Sequence, residues 1–237
     1  MPLVRINTEL HFFAHVPKCA GASVEAYLRN RFGEIAFQNS SFLKVPEAQR
    51  WTKSSPQHVD AKSLELLIPP SWIASSFSVV RHPVSRLRSA FDYQRTGEKT
   101  LDEKADINAW IEAWANTRDA KPFQFDNHPR PAHELIPKGA KIFRMEDGLD
   151  GLVDHLDTLE GTSRGARAIG HENQSRSGSA YLGEQSALTS ETLRLIGQIY
   201  KKDFAQFGYV CEDVSRTTKT AQTKPPARKS LKQILGF

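Results

Sequence analysis

The sequence predicts a single α/β domain in which a central parallel sheet is flanked by helices. Twice in the N-terminal half, over 12–25 and over 77–91, a short apolar run leads directly into a helix-like sequence. This succession of strand, turn and helix is typical of parallel sheets, whose strands need crossover connections. With 237 residues the chain is long enough to bury one full hydrophobic core.

The elements follow in order along the chain. Predicted strands cover 8–16 and 75–81, and 141–147 begins as a third strand. Helices are predicted for 23–32, 60–68, 83–96, 148–159 and 189–205. The polar stretch 34–57 predicts a loop-rich insertion, with Phe42 and Trp51 as its anchors. Apolar residues at helical spacing over 101–117 favour a core-facing stripe, although a sugar platform formed by one Trp is an alternative.

The first candidate site is the turn between strand 8–16 and helix 23–32. Small residues let the backbone approach an anion, which the unpaired N–H groups and the dipole of the helix then bind. Lys18 precedes the small residues, so the Walker A pattern, in which Lys follows the glycines, is absent. Any tight strand-to-helix turn also favours small residues, and this structural reading stays open. The turn comprises Pro17, Lys18, Cys19, Ala20, Gly21, Ala22 and Ser23.

The second candidate site lies where strand 75–81 enters helix 83–96. Arg81 stands at the end of the strand, Pro83 is placed to start the helix, and Ser89 follows within it. A guanidinium and a hydroxyl that converge there suit a terminal phosphate, because Arg binds phosphate in a bidentate manner.

Two stretches together resemble the two cofactor signatures of the sulfotransferase superfamily. They are H-V-P-K-C-A-G-A-S at 15–23 and V-V-R-H-P-V-S-R-L-R-S-A-F at 79–91. The similarity is to the branch of carbohydrate O-sulfotransferases and their bacterial relatives, and it covers roughly 8–212. It implies a P-loop-like sulfotransferase fold. Ala20 and Ala22 stand where this family commonly has Gly and Thr, so one hydroxyl contact is missing while the small-residue cradle is kept.

The resemblance also implies ligands and roles. The donor would be 3′-phosphoadenosine-5′-phosphosulfate (PAPS), with its 5′-phosphosulfate on the loop 17–23 and its 3′-phosphate on Arg81 and Ser89. Flexible basic loops in this superfamily close over PAPS, which makes Arg176 in the Gly-, Ser- and Arg-rich segment 161–180 a candidate; a solvated linker is the alternative.

A catalytic base is also implied. In the carbohydrate branch a His upstream of the Arg-containing strand takes the hydroxyl proton, and His58 matches that position. Imidazole suits this role because it titrates near neutral pH. His58 as a surface or cap-neighbouring residue is the structural alternative. His15, expected to bind backbone at its strand end, and Glu25 are the competing bases.

Two later stretches have open interpretations. The helix-hostile segment 123–131 mixes aromatic and polar residues and is a candidate acceptor-side loop, with loop scaffolding as an equal alternative. Glu146, at the end of the third strand, is expected to be structural, capping or orienting a loop.

The charge is concentrated at the C-terminus. The whole chain has a net charge of +5, and residues 215–237 alone contribute +6. The other residues therefore sum to −1, and this nearly neutral body argues against a nucleic-acid surface. We expect a domain at 1–213 and a disordered basic tail at 214–237 that could touch a membrane or a partner, or do nothing. The basic residues of the tail are Arg216, Lys219, Lys224, Arg228, Lys229 and Lys232.

Cysteine usage and hydropathy restrict the location. Two cysteines support neither a disulfide framework nor a zinc site. No apolar run reaches the ~18 residues of a membrane span, and the N-terminus lacks the apolar core of a signal peptide. These features predict a cytoplasmic protein whose tail could contact the inner face of the membrane. Animal Golgi sulfotransferases carry a membrane anchor, so the resemblance favours a bacterial origin.

The leading hypothesis is therefore a PAPS-dependent sulfotransferase that modifies a hydroxyl of a carbohydrate or glycoconjugate without a metal. His58 would act as base and Lys18 would stabilise the leaving oxygen. The alternatives are a P-loop-type nucleotide kinase, which would need Walker A, and a non-catalytic PAPS-binding relative.

Overall fold

The central sheet of the computed structural model, which describes residues 2–170 and 187–212, has the strand order β1-β2-β3-β4. β2 pairs with β3 and β3 with β4 in parallel, as the sequence predicts, whereas β1 pairs antiparallel with β2. The strands are β1 (Leu3–Ile6), β2 (Glu9–Ala14), β3 (Ile73–Val80) and β4 (Lys141–Arg144).

The hairpin of β1 and β2 is absent from the sequence prediction, which makes 8–16 the first strand. β1 has only four residues, too few for a recognisable pattern. The turn is made by Asn7, whose φ of 55° lies in the left-handed region that Asn tolerates. The sheet is thus mixed at one edge and parallel over its three main strands.

Helices cover the sheet and confirm most of the predicted segments. The bounds of α3 coincide with the prediction, because Pro83 occupies its first turn. The predicted helix 189–205 is instead two helices that meet at Tyr200. The helices are α1 (Gly21–Phe32), α2 (Ala61–Leu67), α3 (Pro83–Thr96), α4 (Ile107–Thr117), α5 (Ala132–Leu135), α6 (Asp150–Glu160), α7 (Ser190–Ile199) and α8 (Lys201–Phe207).

The aromatic residues test the predicted core. Trp110 and Trp114 of α4 are buried, which confirms the core-facing stripe. In the segment 34–57 Phe42 is buried as predicted, but Trp51 is 64% exposed, so its prediction as an anchor is wrong. The ring of Trp51 follows a short turn of 3-10 helix and points away from the core that Phe42 reaches.

Two buried side chains fasten the segment 123–131 to the helical layer. The Arg86 guanidinium donates to the carbonyl oxygens of His128 at 2.9 Å and Arg130 at 2.6 Å. The Tyr200 hydroxyl donates to the carbonyl oxygen of Pro129. Both anchors are fully buried, so these hydrogen bonds are shielded from water.

Glu146 orients the end of β3. One carboxylate oxygen accepts from the backbone N–H of His82 at 2.7 Å, and the other accepts from the Tyr209 hydroxyl at 2.8 Å. The structural role predicted for Glu146 is therefore confirmed, and it fixes the turn that carries Arg81.

Two sequence predictions concern residues that the structure does not describe. Arg176 and the tail 214–237 lie outside the described residues. Among the helices of 2–170 and 187–212, none combines the length and apolar character that a membrane span requires.

Candidate functional site

The loop between β2 and α1 has the backbone of an anion cradle. Lys18 and Ala20 adopt left-handed φ values of 67° and 59°, an uncommon conformation for residues with a side chain and one that concentrates at functional sites. α1 then begins at Gly21, and its N-cap residue Ala20 supplies no side-chain hydrogen bond. The first N–H groups of a twelve-residue helix therefore face this loop without a side-chain cap.

Gly21 is required by a close approach. A Cβ atom at this position would lie 1.9 Å from Nε2 of His15, so no other residue fits without moving the imidazole. His15 thus packs directly against the backbone of the loop 17–23.

The remaining loop residues are packed around this cradle. Pro17 and Cys19 are buried, and Ala22 is half-buried. The Cys19 thiol donates to the carbonyl oxygen of Pro17 at 3.7 Å, and burial raises its pKa to about 12. Cys19 is consequently a neutral packing residue of the loop at physiological pH.

Two cations lie at the mouth of the loop. The Lys18 ammonium is 4.0 Å from the centroid of the Tyr93 ring, and Arg81 directly follows β3. Within the described residues, neither side chain forms a hydrogen bond or an ion pair. Burial, and then the charge of Arg81, lower the pKa of Lys18. Neighbouring cations without a counter-ion are the electrostatic condition for binding an anion.

Ser89 lies on the helix that Arg81 precedes. It belongs to α3 and is half-buried. The structure therefore places Lys18 and Arg81 at one site and puts Ser89 on an adjoining element.

His58 is paired with a carboxylate. Its Nδ1 donates to Oδ2 of Asp126 at 2.8 Å. Asp126 also accepts from Ser55, from the N–H at 2.6 Å and from the hydroxyl at 2.7 Å. Burial opposes ionisation of Asp126, but the charge and hydrogen bond of His58 outweigh it, so the pKa of Asp126 lies below its ordinary value. The carboxylate fixes the tautomer and leaves the lone pair of His58 on Nε2.

Asp126 reaches His58 through an unusual backbone. Three successive residues have left-handed φ values: Phe125 at 55°, Asp126 at 50° and Asn127 at 62°. Such strain persists only where the surroundings enforce it. Here the Asn127 side chain donates to the carbonyl oxygen of His58 at 2.7 Å, which ties the two segments together. The segment 123–131 therefore serves as scaffolding for His58, one of its two predicted roles.

His15 belongs to a second imidazole–carboxylate pair. Its Nδ1 donates to Oε1 of Glu25 at 2.5 Å, whose other oxygen accepts from Gln38 at 2.5 Å. The partner of His15 is thus a side chain and not the backbone expected from the sequence. The ring meets that of His58 edge to face at a centroid distance of 4.9 Å. Nδ1 of His15 thus binds Glu25 while Nε2 lies against Gly21.

A third imidazole, His128, flanks His58. Its ring is 5.1 Å from that of His58, and its Nδ1 donates to the carbonyl oxygen of Phe125 at 2.8 Å. Burial, and then the charge of His58, lower the pKa of His128 to about 3, so this ring is neutral at pH 7. One polar side-chain atom each of His58, Asp126 and His128 lies within 4.8 Å of the other two, a spacing that would also suit a metal ion. Both carboxylate oxygens of Asp126, however, already accept hydrogen bonds from protein groups.

Sequence reasoning missed Asp126, His128 and Tyr93. Asp126 and His128 belong to the segment 123–131, whose polar residues lie in a sequence that disfavours helix. This feature was the available signal for a functional loop. Tyr93 had none, because it occupies an ordinary helical position.

Comparison with known proteins completes this description. A family model described as "Sulfotransferase family" matches residues 5–210. No curated protein and no solved structure matches the chain significantly. Because the matched region spans most of the sequence, the chain belongs to the sulfotransferase family of enzymes, which transfer sulfo groups.

Proposed function

We propose that this enzyme transfers a sulfuryl group from PAPS to a hydroxyl of a carbohydrate or glycoconjugate. The observation that carries the proposal is the His58–Asp126 pair, whose Nε2 has no hydrogen-bond partner among residues 2–170 and 187–212. Family membership favours sulfuryl transfer over the phosphoryl transfer of a nucleotide kinase.

The residues of the loop fit an anionic donor. The uncapped start of α1 and the ammonium of Lys18 would hold the 5′-phosphosulfate. Arg81 and Ser89 would hold the 3′-phosphate, as the resemblance to the carbohydrate branch implies. When bound, PAPS supplies an activated sulfuryl group whose bond to the phosphate oxygen is the one that breaks.

His58 would act as the general base. Nε2 takes the proton of the acceptor hydroxyl while the acceptor oxygen forms its bond to sulfur. The imidazolium that results is stabilised by the Asp126 carboxylate, which is ionised. Because both Nδ1 and the ring plane are fixed by this bond, the base needs no reorientation during the reaction.

Lys18 would stabilise the leaving group. As the sulfuryl group departs, negative charge grows on the bridging oxygen of the phosphosulfate, and an ammonium beside it lowers the barrier. A half-buried ammonium is effective there, since its interactions are less screened by water.

The carbohydrate acceptor rests on the resemblance in the two signature motifs. A panel assay with PAPS carrying a labelled sulfuryl group tests it: the wild-type enzyme should label sugar hydroxyls in preference to phenols and amines. Adenosine 5′-phosphosulfate, which lacks the 3′-phosphate, should be a much poorer donor.

A matched control shows whether any labelling comes from this site. His133 forms a similar pair with Asp203, at 2.7 Å, outside the His58 cluster. Replacing His133 by Asn should preserve transfer, whereas His58→Asn should nearly abolish it. Labelling confined to amines, or transfer that is indifferent to His58, would contradict the proposal.

A further inference from the structure

Tyr93 stands between the cation and the base. Its ring lies 4.0 Å from the Lys18 ammonium and stacks on His128 at a centroid distance of 5.1 Å and an interplanar angle of 28°. His128 in turn meets His58 at 5.1 Å. A continuous series of contacts therefore joins Lys18 to His58 through the rings of Tyr93 and His128.

The fold makes room for this ring. A Cβ atom at Gly97 would lie 2.6 Å from Cδ2 and Cε2 of Tyr93, so glycine at this position allows the ring to lie where it does. Tyr93 is 37% exposed. The absence of a side chain at Gly97 therefore permits this position of the Tyr93 ring.

The chemistry of the contact matters because carboxylates are also near. Asp92 and Glu98 act on the charge of Lys18 from a distance, and burial raises the pKa of each. In the described part of the chain, however, Lys18 forms no ion pair with either, and its direct contact is with the neutral ring. An aromatic face attracts an ammonium without neutralising it. A carboxylate in contact would compete with an incoming anion, whereas the ring releases the cation more readily.

We propose that Tyr93 is a positioning residue for Lys18. Its ring keeps the ammonium charged and oriented at the loop 17–23 until the ammonium binds an anionic donor. The inference rests on the proposed function, because it assigns Lys18 to the leaving oxygen. Through His128, the same ring also sets the separation between Lys18 and the base.

Two substitutions separate the ring from the hydroxyl. Tyr93→Phe retains the aromatic face, and we expect kcat to change by less than about threefold. Tyr93→Leu removes the face, and we expect kcat to fall about tenfold while the KM for PAPS changes little. Because the ring favours the charged ammonium, the alkaline limb of the pH–rate profile should move to lower pH in the Leu variant and stay in place in the Phe variant.

A double-mutant cycle tests whether Tyr93 acts through Lys18. In a Lys18→Ala background, Tyr93→Leu should have no further effect on kcat. Thermal unfolding of each variant verifies the fold, and Tyr93→Met provides a second non-aromatic replacement that better conserves volume.

The outcomes distinguish this inference from the function on which it rests. If Lys18→Ala transfers sulfuryl groups normally, the role of Lys18 in the proposed function is wrong. If Lys18→Ala is impaired but the Leu and Met variants are fully active, only the role of Tyr93 is wrong. If Tyr93→Leu lowers kcat equally in the wild-type and Lys18→Ala backgrounds, Tyr93 acts directly on the acceptor and the inference is wrong. If Tyr93→Phe and Tyr93→Leu lower kcat equally, Tyr93 acts through its hydroxyl and the inference is also wrong.

Discussion

Nδ1 of His58 donates to Asp126 across 2.8 Å, and this single bond decides which nitrogen of the imidazole carries the lone pair. The two residues are 68 positions apart in the sequence, yet both are tied into one buried network with Ser55. The imidazole of His58 is thus oriented by the protein itself.

Asp126→Asn should reverse the tautomer. The amide would donate to Nδ1 of His58, which places the ring proton on Nε2 and removes the base. We expect kcat to fall by on the order of 10²-fold or more. Calorimetry should show unchanged affinity for adenosine 3′,5′-bisphosphate. A variant with normal turnover would mean that Asp126 serves only the fold.

Arg81→Ala should remove recognition of the 3′-phosphate. The wild-type protein should bind adenosine 3′,5′-bisphosphate far more tightly than AMP, and the variant should lose about 2 kcal/mol or more of that preference. Arg167→Ala, which removes an exposed and ion-paired arginine, is the control. Equal affinity of the wild-type protein for both nucleotides, measured by calorimetry, would refute the assignment.

Gly21→Ala should displace His15. Its Cβ would lie 1.9 Å from Nε2, so we expect a loss of about 1–3 kcal/mol in the free energy of unfolding and weaker binding of the bisphosphate. His15→Ala frees the space, and the double variant should bind the nucleotide better than Gly21→Ala alone. The idea fails if Gly21→Ala unfolds and binds like the wild-type protein.

His128 should make stability depend on pH. Its pKa of about 3 in the folded protein lies below the ordinary value of 6.5, so the unfolded chain binds a proton that the folded chain excludes. His128 therefore does not reduce the free energy of unfolding above pH 6.5. As the pH falls from 6.5 towards 3, that free energy should decrease by on the order of a few kcal/mol. His128→Asn keeps a donor for the Phe125 carbonyl and does not titrate. Chemical denaturation should therefore show a flatter pH dependence in this variant; parallel curves would contradict the burial argument.

Local signals predicted much of the fold. The bounds of α3 follow from Pro83 after a buried strand, and the loop 17–23 follows from its run of small residues. The hairpin of β1 was missed because four residues carry too little pattern, and Trp51 was misplaced because an apolar residue in a polar loop need not reach the core.

The site was predicted less completely, for a physical reason. His58 and Lys18 belong to recognisable stretches, but their partners Asp126 and Tyr93 come from distant segments that only the tertiary structure brings near. No local pattern encodes such a contact. The role of Arg176, the tail 214–237, the cytoplasmic location and the absence of a nucleic-acid partner stay predictions.

The central claim is that His58, and not His15, is the base. The most direct measurement compares kcat for sulfuryl transfer in His58→Asn and His15→Asn, since Asn preserves the donor that each Nδ1 offers to its carboxylate. We predict that His58→Asn lowers kcat by roughly 10²–10⁴-fold with unchanged bisphosphate affinity, and that His15→Asn mainly lowers stability or donor affinity. If His15→Asn abolishes turnover in a folded, nucleotide-binding protein while His58→Asn has little effect, the assignment is contradicted.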